Sequence, residues 1–344
     1  MRRAARTVLL PAVLTVLALA VQFGPAVVPI RGPAWLADLG SSSVRFALWE
    51  GLWALGTVAV LAGACALGYR EARHREVGPA YLRYVGVVAG TCTTVLLLVL
   101  AGWVVLNGPN GSNPFLGLLT VVTLLVGVPG VFTVAALAGV AFASARGDGA
   151  PVRSATELGP LALGAATVAG TGYLLNSVAD LAITAGDGVG VAASLPQFGS
   201  TGATVLAYLQ AGQLAGDIVV IGAGMALGVL AVRRRGVATP SRRFVGIVAA
   251  GALGGLLVAW VSVTWYATTG GGDANAPSFV SAAASFPDAV VWTGVVTVLA
   301  VVAGVGVAHF ETDDRETGSR ESTDSPGFDP GTETRTNERS LRDH

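Results

Sequence analysis

Long apolar runs alternate with short polar connections along most of the chain. A helical run of about 20 residues crosses roughly 30 Å of hydrocarbon. Backbone groups in lipid must find their hydrogen bonds within the protein, so runs of this length predict helices rather than barrel strands. The pattern therefore predicts an all-α integral membrane protein with eight transmembrane helices. The predicted spans cover residues 7–30, 44–69, 83–106, 115–145, 159–185, 201–232, 244–266 and 288–308.

Arginine residues divide the connections between these spans into two alternating sets. Basic connections tend to stay on the cytoplasmic side of a membrane. Most arginines lie in the N-terminus and in connections 70–83, 146–157 and 233–243, whereas connections 107–114, 186–200 and 270–278 hold few or none. This alternation predicts that both termini are cytoplasmic, in the cell membrane. All seven tryptophans then fall at or near the outer interface, which they are expected to favour.

The first apolar run has a second interpretation. Ala18-Leu19-Ala20 resembles the cleavage site of a signal peptide. The run continues past that site to Val28, which favours a retained helix. Removal of the run would leave the orientation of the other seven spans unchanged.

Residues 41–90 and 201–250 align without a gap at a constant shift of 160. About 14 of the 50 aligned positions are identical, and three arginines match: Arg73 with Arg233, Arg75 with Arg235, and Arg83 with Arg243. Residues 130–134 and 294–298 also match, at a slightly larger shift. We interpret this as an internal duplication.

The duplication predicts two tandem four-helix repeats, residues 1–145 and residues 146–310. Four spans per copy is an even number, so both halves should enter the membrane the same way round, related by an axis along the membrane normal. Residues 311–344 are polar and acidic, and they predict a disordered cytoplasmic tail.

Small residues let helices pack closely in lipid. Such GxxxG spacings occur at Gly86/Gly90, Gly212/Gly216 and Gly224/Gly228. They predict close packing within one chain, with homo-oligomer contacts as the alternative.

Composition excludes several chemistries. The chain is 53% hydrophobic and 12% charged, and all 21 basic residues are arginine. Without lysine there is no Schiff-base chemistry, so a retinal pump is excluded. Cys65 and Cys92 lie in apolar runs and are expected to be small buried hydrophobes rather than metal ligands. We expect no cofactor, no metal site and no nucleic-acid partner.

Asp217 is the most informative single residue, because it lies near the middle of the sixth span. A charged carboxylate there costs a few kcal/mol. Gln210, Gln213 and Asp217 share one helical face, with Ile221 and two glycines continuing the stripe. Such a face should turn toward other helices or water rather than lipid.

In the first copy, Glu50 aligns with Gln210 and Thr57 with Asp217. We therefore predict a solute or ion path between spans 2 and 6, formed by Asp217, Gln213, Gln210, Glu50 and Thr57. The alternative is that Asp217 only packs helices, hydrogen-bonded to a neighbour such as Asn176 or Gln213.

Secondary candidates lie on one face of the fifth span. These are Asn176, Asp180 and Tyr173, and Asp180 also fits a position at the outer interface.

Three classes of function stay open on the sequence. The leading one is passage of a small solute or ion through the repeat interface. The second is a non-catalytic membrane scaffold or partner subunit. The third, a membrane enzyme, is disfavoured. Leu214-Ala215-Gly216-Asp217 lacks the first glycine of an intramembrane aspartyl protease motif, and no serine nucleophile motif occurs.

Overall fold

The computed structural model describes residues 9–17, 19, 42–74, 81–107, 114–145, 155–186, 191–237, 239–270 and 279–323. The described residues form helices without strands. The first helix, α1, covers residues 9–17. The others are α2 (Ser42–His74), α3 (Tyr81–Asn107), α4 (Pro114–Ser144), α5 (Ala155–Asn176), α6 (Val178–Thr184), α7 (Thr201–Ile218), α8 (Gly224–Arg235), α9 (Arg242–Gly270), α10 (Phe279–Ala289) and α11 (Val296–Thr323). Two π-helical turns, Val219–Ala223 and Val290–Val295, join α7 to α8 and α10 to α11.

Seven helices in the described part of the chain are long and apolar enough to cross a membrane. They are α2, α3, α4, α5, the continuous α7–α8 helix, α9 and the continuous α10–α11 helix. This is the pattern of a multi-pass membrane protein. The eighth predicted span, residues 7–30, lies mostly outside the described residues. Within α1, the hydroxyl of Thr15 donates to the sulfur of Cys92 at 3.1 Å, so this segment packs on α3.

Helices α4 and α11 form the centre of the bundle and pack against each other. In their spans 67% of the residues are buried, against 33% or less in each of the other five. Both are apolar around most of their circumference, so they find their best environment among other helices. Helix α2 packs on α4, and α8 packs on α11.

Spans 2 and 6, between which the path is predicted, each pack against a span of the other predicted repeat. Helix α4 packs against both α2 and α7, and α10 packs against α2. The almost wholly apolar spans 4 and 8, rather than spans 2 and 6, take the central position.

Glycines allow the closest helix contacts. A Cβ on Gly68 would collide with the carbonyl oxygen of Ala136, and one on Gly139 with that of Cys65. In the same way, a Cβ on Gly228 would collide with the carbonyl oxygen of Val301, and a Cβ on Gly304 would collide with the carbonyl oxygen of Met225. All six GxxxG glycines were expected to pack, but Gly86 and Gly90 face open space.

The C-terminal ends of two spans show how the helices stop or continue. Gly236 adopts a left-handed conformation, φ 61°, and ends α8 directly after three arginines. Helix α11 continues to Thr323, so the first part of the tail predicted to be disordered is helical here. Charged residues with good helix propensity follow the span and allow this extension. Residues 324–344 lie outside the described residues, and disorder there stays a prediction.

Candidate functional site

A partly open cavity of about 310 Å³ lies among five spans, between residues of both predicted repeats. Helices α2 and α4 line one side, and α5, α7 and the α10–α11 helix line the other. The polar lining residues are Thr57, Asn176, Ser177, Asp180, Gln213, Ser285, Asp288 and Thr293. The aromatic lining residues are Trp53, Phe132, Tyr173 and Trp292.

The cavity occupies one end of the bundle. Its lining residues come from the first parts of the apolar spans in α2, α7 and α10–α11 and from the last part of α5. This is the end that the arginine pattern predicts to be the outer one.

Asp217 lies beside this cavity rather than in its lining. The residue is 5% exposed. The indole N–H of Trp292, a lining residue, donates a hydrogen bond to its carboxyl group. The second carboxyl oxygen, Oδ2, is buried without a hydrogen-bond partner among the described residues. Trp292 therefore stands between the cavity and a buried carboxyl group.

Gly127 on α4 packs against that carboxyl oxygen, and its lack of a side chain leaves space for the oxygen. A Cβ at position 127 would lie 2.7 Å from Asp217 Oδ2. Because the contact is with a glycine, α4 approaches Asp217 without offering it a polar partner. No hydrogen bond joins Oδ2 to Asn176 or Gln213, the partners expected if Asp217 only packed helices.

Two π-helical turns adjoin this region. The first begins at Val219, just after Asp217, and the second contains Trp292. A π turn holds one extra residue in a helix and is frequent at functional sites. Here both π turns flank the same carboxyl–indole hydrogen bond.

The predicted site residues fall into three groups. Thr57, Gln213, Asn176, Tyr173 and Asp180 line the cavity. The side chain of Gln210 is not part of the lining. The backbone carbonyl of Gln210 accepts a hydrogen bond from the Thr123 hydroxyl at 3.3 Å. Glu50 belongs to α2, but its side chain lies outside the described residues.

Asn176 and Asp180 differ in their surroundings. The amide oxygen of Asn176 is buried without a hydrogen-bond partner in the described part of the chain, packed against Gly216. Asp180 belongs to the short helix α6, beyond the end of the apolar span, and is exposed at its surface. Partial burial of its carboxyl group nevertheless raises the pKa of Asp180.

Sequence reasoning missed Asp288, Ser285, Trp53 and Trp292 as cavity residues. The tryptophans were interpreted as interface anchors, because their positions near the ends of spans fit that role. Asp288 was taken only as the start of the last span. The available signal was the spacing of Asp288 and Trp292. These two residues are four positions apart, which places them one helical turn apart on the same face.

The ionisable groups of the described lining are acidic and not basic. The lining combines carboxyl, amide and hydroxyl groups with four aromatic rings, and the described lining contains no arginine or histidine. No group of three or more histidine, cysteine or acidic side chains converges in the part of the chain that the structure describes. Comparison of the chain with protein-family models, curated proteins and solved structures finds no match.

Proposed function

We propose that this protein passes a small solute or ion through the cavity between its two repeats, with Asp217 as the coupling carboxyl group. One observation carries the proposal. A cavity that reaches into the apolar part of the bundle adjoins a buried carboxyl group that has one unpaired oxygen. Leaving such a group unpaired away from water costs free energy, and ionisable groups inside a membrane commonly mark ion or proton pathways.

The proposal includes the duplication and its axis along the membrane normal. The packing pattern supports it, since several contacts in one half have a counterpart in the other. Helix α4 contacts α7 as α10 contacts α2, and α2 contacts α4 as α8 contacts α11. The α4–α11 contact would then lie on the axis.

The glycine contacts support the same relation at the level of single residues. Gly68 and Cys65 correspond to Gly228 and Met225 at the shift of 160 that the sequence alignment gives. Each glycine meets a carbonyl oxygen of its partner helix, and each partner glycine meets the carbonyl oxygen of Cys65 or Met225. Two copies of one helix pair are the simplest source of this match.

We place the cavity on the outer face of the cell membrane and both termini in the cytoplasm, from the arginine pattern. Toward the opposite end of the bundle α4 and α11 pack closely, because a Cβ on Gly306 would lie 2.8 Å from the Ala141 Cβ. Passage between these two helices therefore requires a second conformation in which they separate.

The close contact of α4 with α11 also favours the second candidate, a non-transporting membrane scaffold or partner subunit. In that case, the cavity residues would only fix helix packing, and the protein would show no flux. Measurement of flux distinguishes passage of a solute from a scaffold role.

The test uses the full chain in liposomes adsorbed to a solid-supported electrode. Transient currents are recorded after jumps in pH, in Na⁺ and in a panel of small organic cations, anions and neutral solutes. We expect a current for at least one jump, and its reduction to about a tenth or less in Asp217→Asn, as for loss of a coupling group. Asp314→Asn, beyond the last apolar span, is the matched control and should leave the current unchanged.

Two outcomes contradict the proposal. The first is the absence of current for every jump from a protein that elutes as a single species. The second is an undiminished current in Asp217→Asn.

A further inference from the structure

We infer that the cavity binds an organic ammonium ion, that is, an amine or quaternary ammonium cation of a few carbon atoms. The inference deepens the proposed function by naming the class of the passing solute. It depends on the lining of the cavity, its charge, its size and the buried acceptors beside it.

Aromatic rings from four helices form part of the wall. Trp53 comes from α2, Phe132 from α4, Tyr173 from α5, and Trp292 from the π turn before α11. The negative potential on the faces of such rings attracts cations, and alkylated ammonium groups are the ligands for which sites of several aromatic rings are best suited. A small anion would find neutral donors, including the unpaired Trp53 N–H, but no cationic side chain in the described lining.

The charges at the cavity have one sign. Asp180 and Asp288 contribute carboxyl groups to the lining, and the described lining offers no arginine or histidine to neutralise them. A cation that enters would offset two negative charges at a partly open site, where such an interaction is stronger than in bulk water. An anion would meet repulsion from both.

Two unpaired hydrogen-bond acceptors beside the cavity independently favour a cation as the ligand. Asp217 Oδ2 and Asn176 Oδ1 are buried and lack hydrogen-bond partners among the described residues. Both are oxygen acceptors, so a positive charge or an N–H donor compensates them and another acceptor does not.

The size of the cavity decides between an organic cation and a metal ion. About 310 Å³ falls at the lower end of the range for small-molecule sites. Alkali and alkaline-earth ions require a close shell of oxygen ligands. Carbon-lined walls and the absence of three converging ligand groups in the described residues fit an alkylammonium group better.

The experiment compares choline with its neutral isostere 3,3-dimethylbutan-1-ol, two probes that differ mainly in charge. Binding to the purified full-length protein is measured by titration calorimetry and by intrinsic tryptophan fluorescence. We expect choline to bind at least about tenfold more tightly than the isostere, a difference that a cation over aromatic rings with a nearby carboxylate supplies.

Two substitutions locate the site. Asp288→Asn should weaken choline binding about tenfold and leave the isostere unchanged, because only charge is removed. Trp292→Leu should weaken choline binding similarly. Trp265→Leu is the matched control, since Trp265 is 71% exposed and does not line the cavity. The unfolding midpoint of each variant is recorded, and Asp288→Asn decides the result if Trp292→Leu fails to fold.

Equal binding of the isostere, absence of choline binding, or choline binding unaffected by Asp288→Asn would each overturn the ammonium inference. The current measurements keep this outcome separate from failure of the proposed function. Currents from pH or Na⁺ jumps without choline binding overturn the ammonium inference alone. Choline binding without any current supports the inference and contradicts passage.

Discussion

At the position of Asp217, a carboxyl group is enclosed by a glycine, an indole and apolar side chains. The Trp292 N–H satisfies one oxygen, and Oδ2 has no hydrogen-bond partner within the described residues. Buried charges in proteins are ordinarily paired, so this arrangement costs stability. This cost is what the proposed function predicts for a group that must bind and release a proton or face a cation.

That cost can be measured by replacing the carboxyl with an amide. We expect Asp217→Asn to leave the thermal unfolding midpoint in detergent at pH 8 unchanged or to raise it by a few degrees. The amide keeps an acceptor for the Trp292 N–H, and it has no charge to bury. Asn176→Asp, which adds a carboxyl group at a second half-buried position, should lower the midpoint. A lower midpoint for Asp217→Asn would mean that the carboxylate is paired and stabilising.

Sequence reasoning located Asp217 by depth in its span and by the helical face that it shares with Gln213. It could not find Trp292, because the partner lies in another span and nothing local links the two positions. The tryptophan also fitted the simpler role of an interface anchor. Partners joined only by tertiary packing leave no periodic signal in one sequence.

At the scale of helices, glycine positions set how the spans pack. A Cβ at Gly68 or Gly228 would collide with a backbone carbonyl oxygen of the facing helix, which has no side-chain freedom to move away. Gly254, by contrast, faces open space. The same residue type therefore has opposite consequences at different positions of similar helices.

Alanine substitution should reveal this difference. We expect Gly68→Ala and Gly228→Ala each to destabilise the protein by about 1–3 kcal/mol, through forced separation of the helices. Gly254→Ala should stabilise it by about 0.5–1 kcal/mol, from the better helix propensity of alanine. Reversible unfolding in mixed micelles gives these values. Clearly different losses for Gly68→Ala and Gly228→Ala would argue against equivalent roles in two repeats.

At the scale of the whole molecule, hydrophobic patterning predicted the seven described spans, although the fifth was predicted to reach residue 185 and ends at Asn176. It predicted the order of packing poorly, because an apolar residue that faces lipid and one that faces another helix look alike. The apolar character of α4 and α11 was visible in the sequence, yet it was not used to place them at the centre. The hydrophobic periodicity therefore predicted which segments form spans. The position of each span in the bundle depends on which residues are buried, and only the structure shows that.

Labelling of introduced cysteines tests the proposed orientation and the access of water to the cavity. In a background with Cys65 and Cys92 replaced by alanine, we expect Gln213→Cys and Thr57→Cys to react with a membrane-impermeant thiol reagent added outside intact cells. Both residues line the cavity. Leu257→Cys is the control, because this side chain is 48% exposed on an apolar span outside the lining and should face lipid.

The side of labelling decides between the interpretations. Reaction only in inside-out vesicles would reverse the proposed orientation. Absence of reaction from either side would show a dry cavity and favour the scaffold.

The seam between α4 and α11 has a mechanical consequence. Its buried contacts are made largely by short aliphatic side chains, among them Ala138, Ala141, Ala300 and Ala303. Surfaces of this kind interlock shallowly, whereas within the second half α8 is fastened to α11 by glycine–carbonyl contacts and by the Arg233–Glu311 ion pair at 2.9 Å. Helix pairs that meet along such a smooth line can rock against each other, which is the kind of motion that the proposed passage requires.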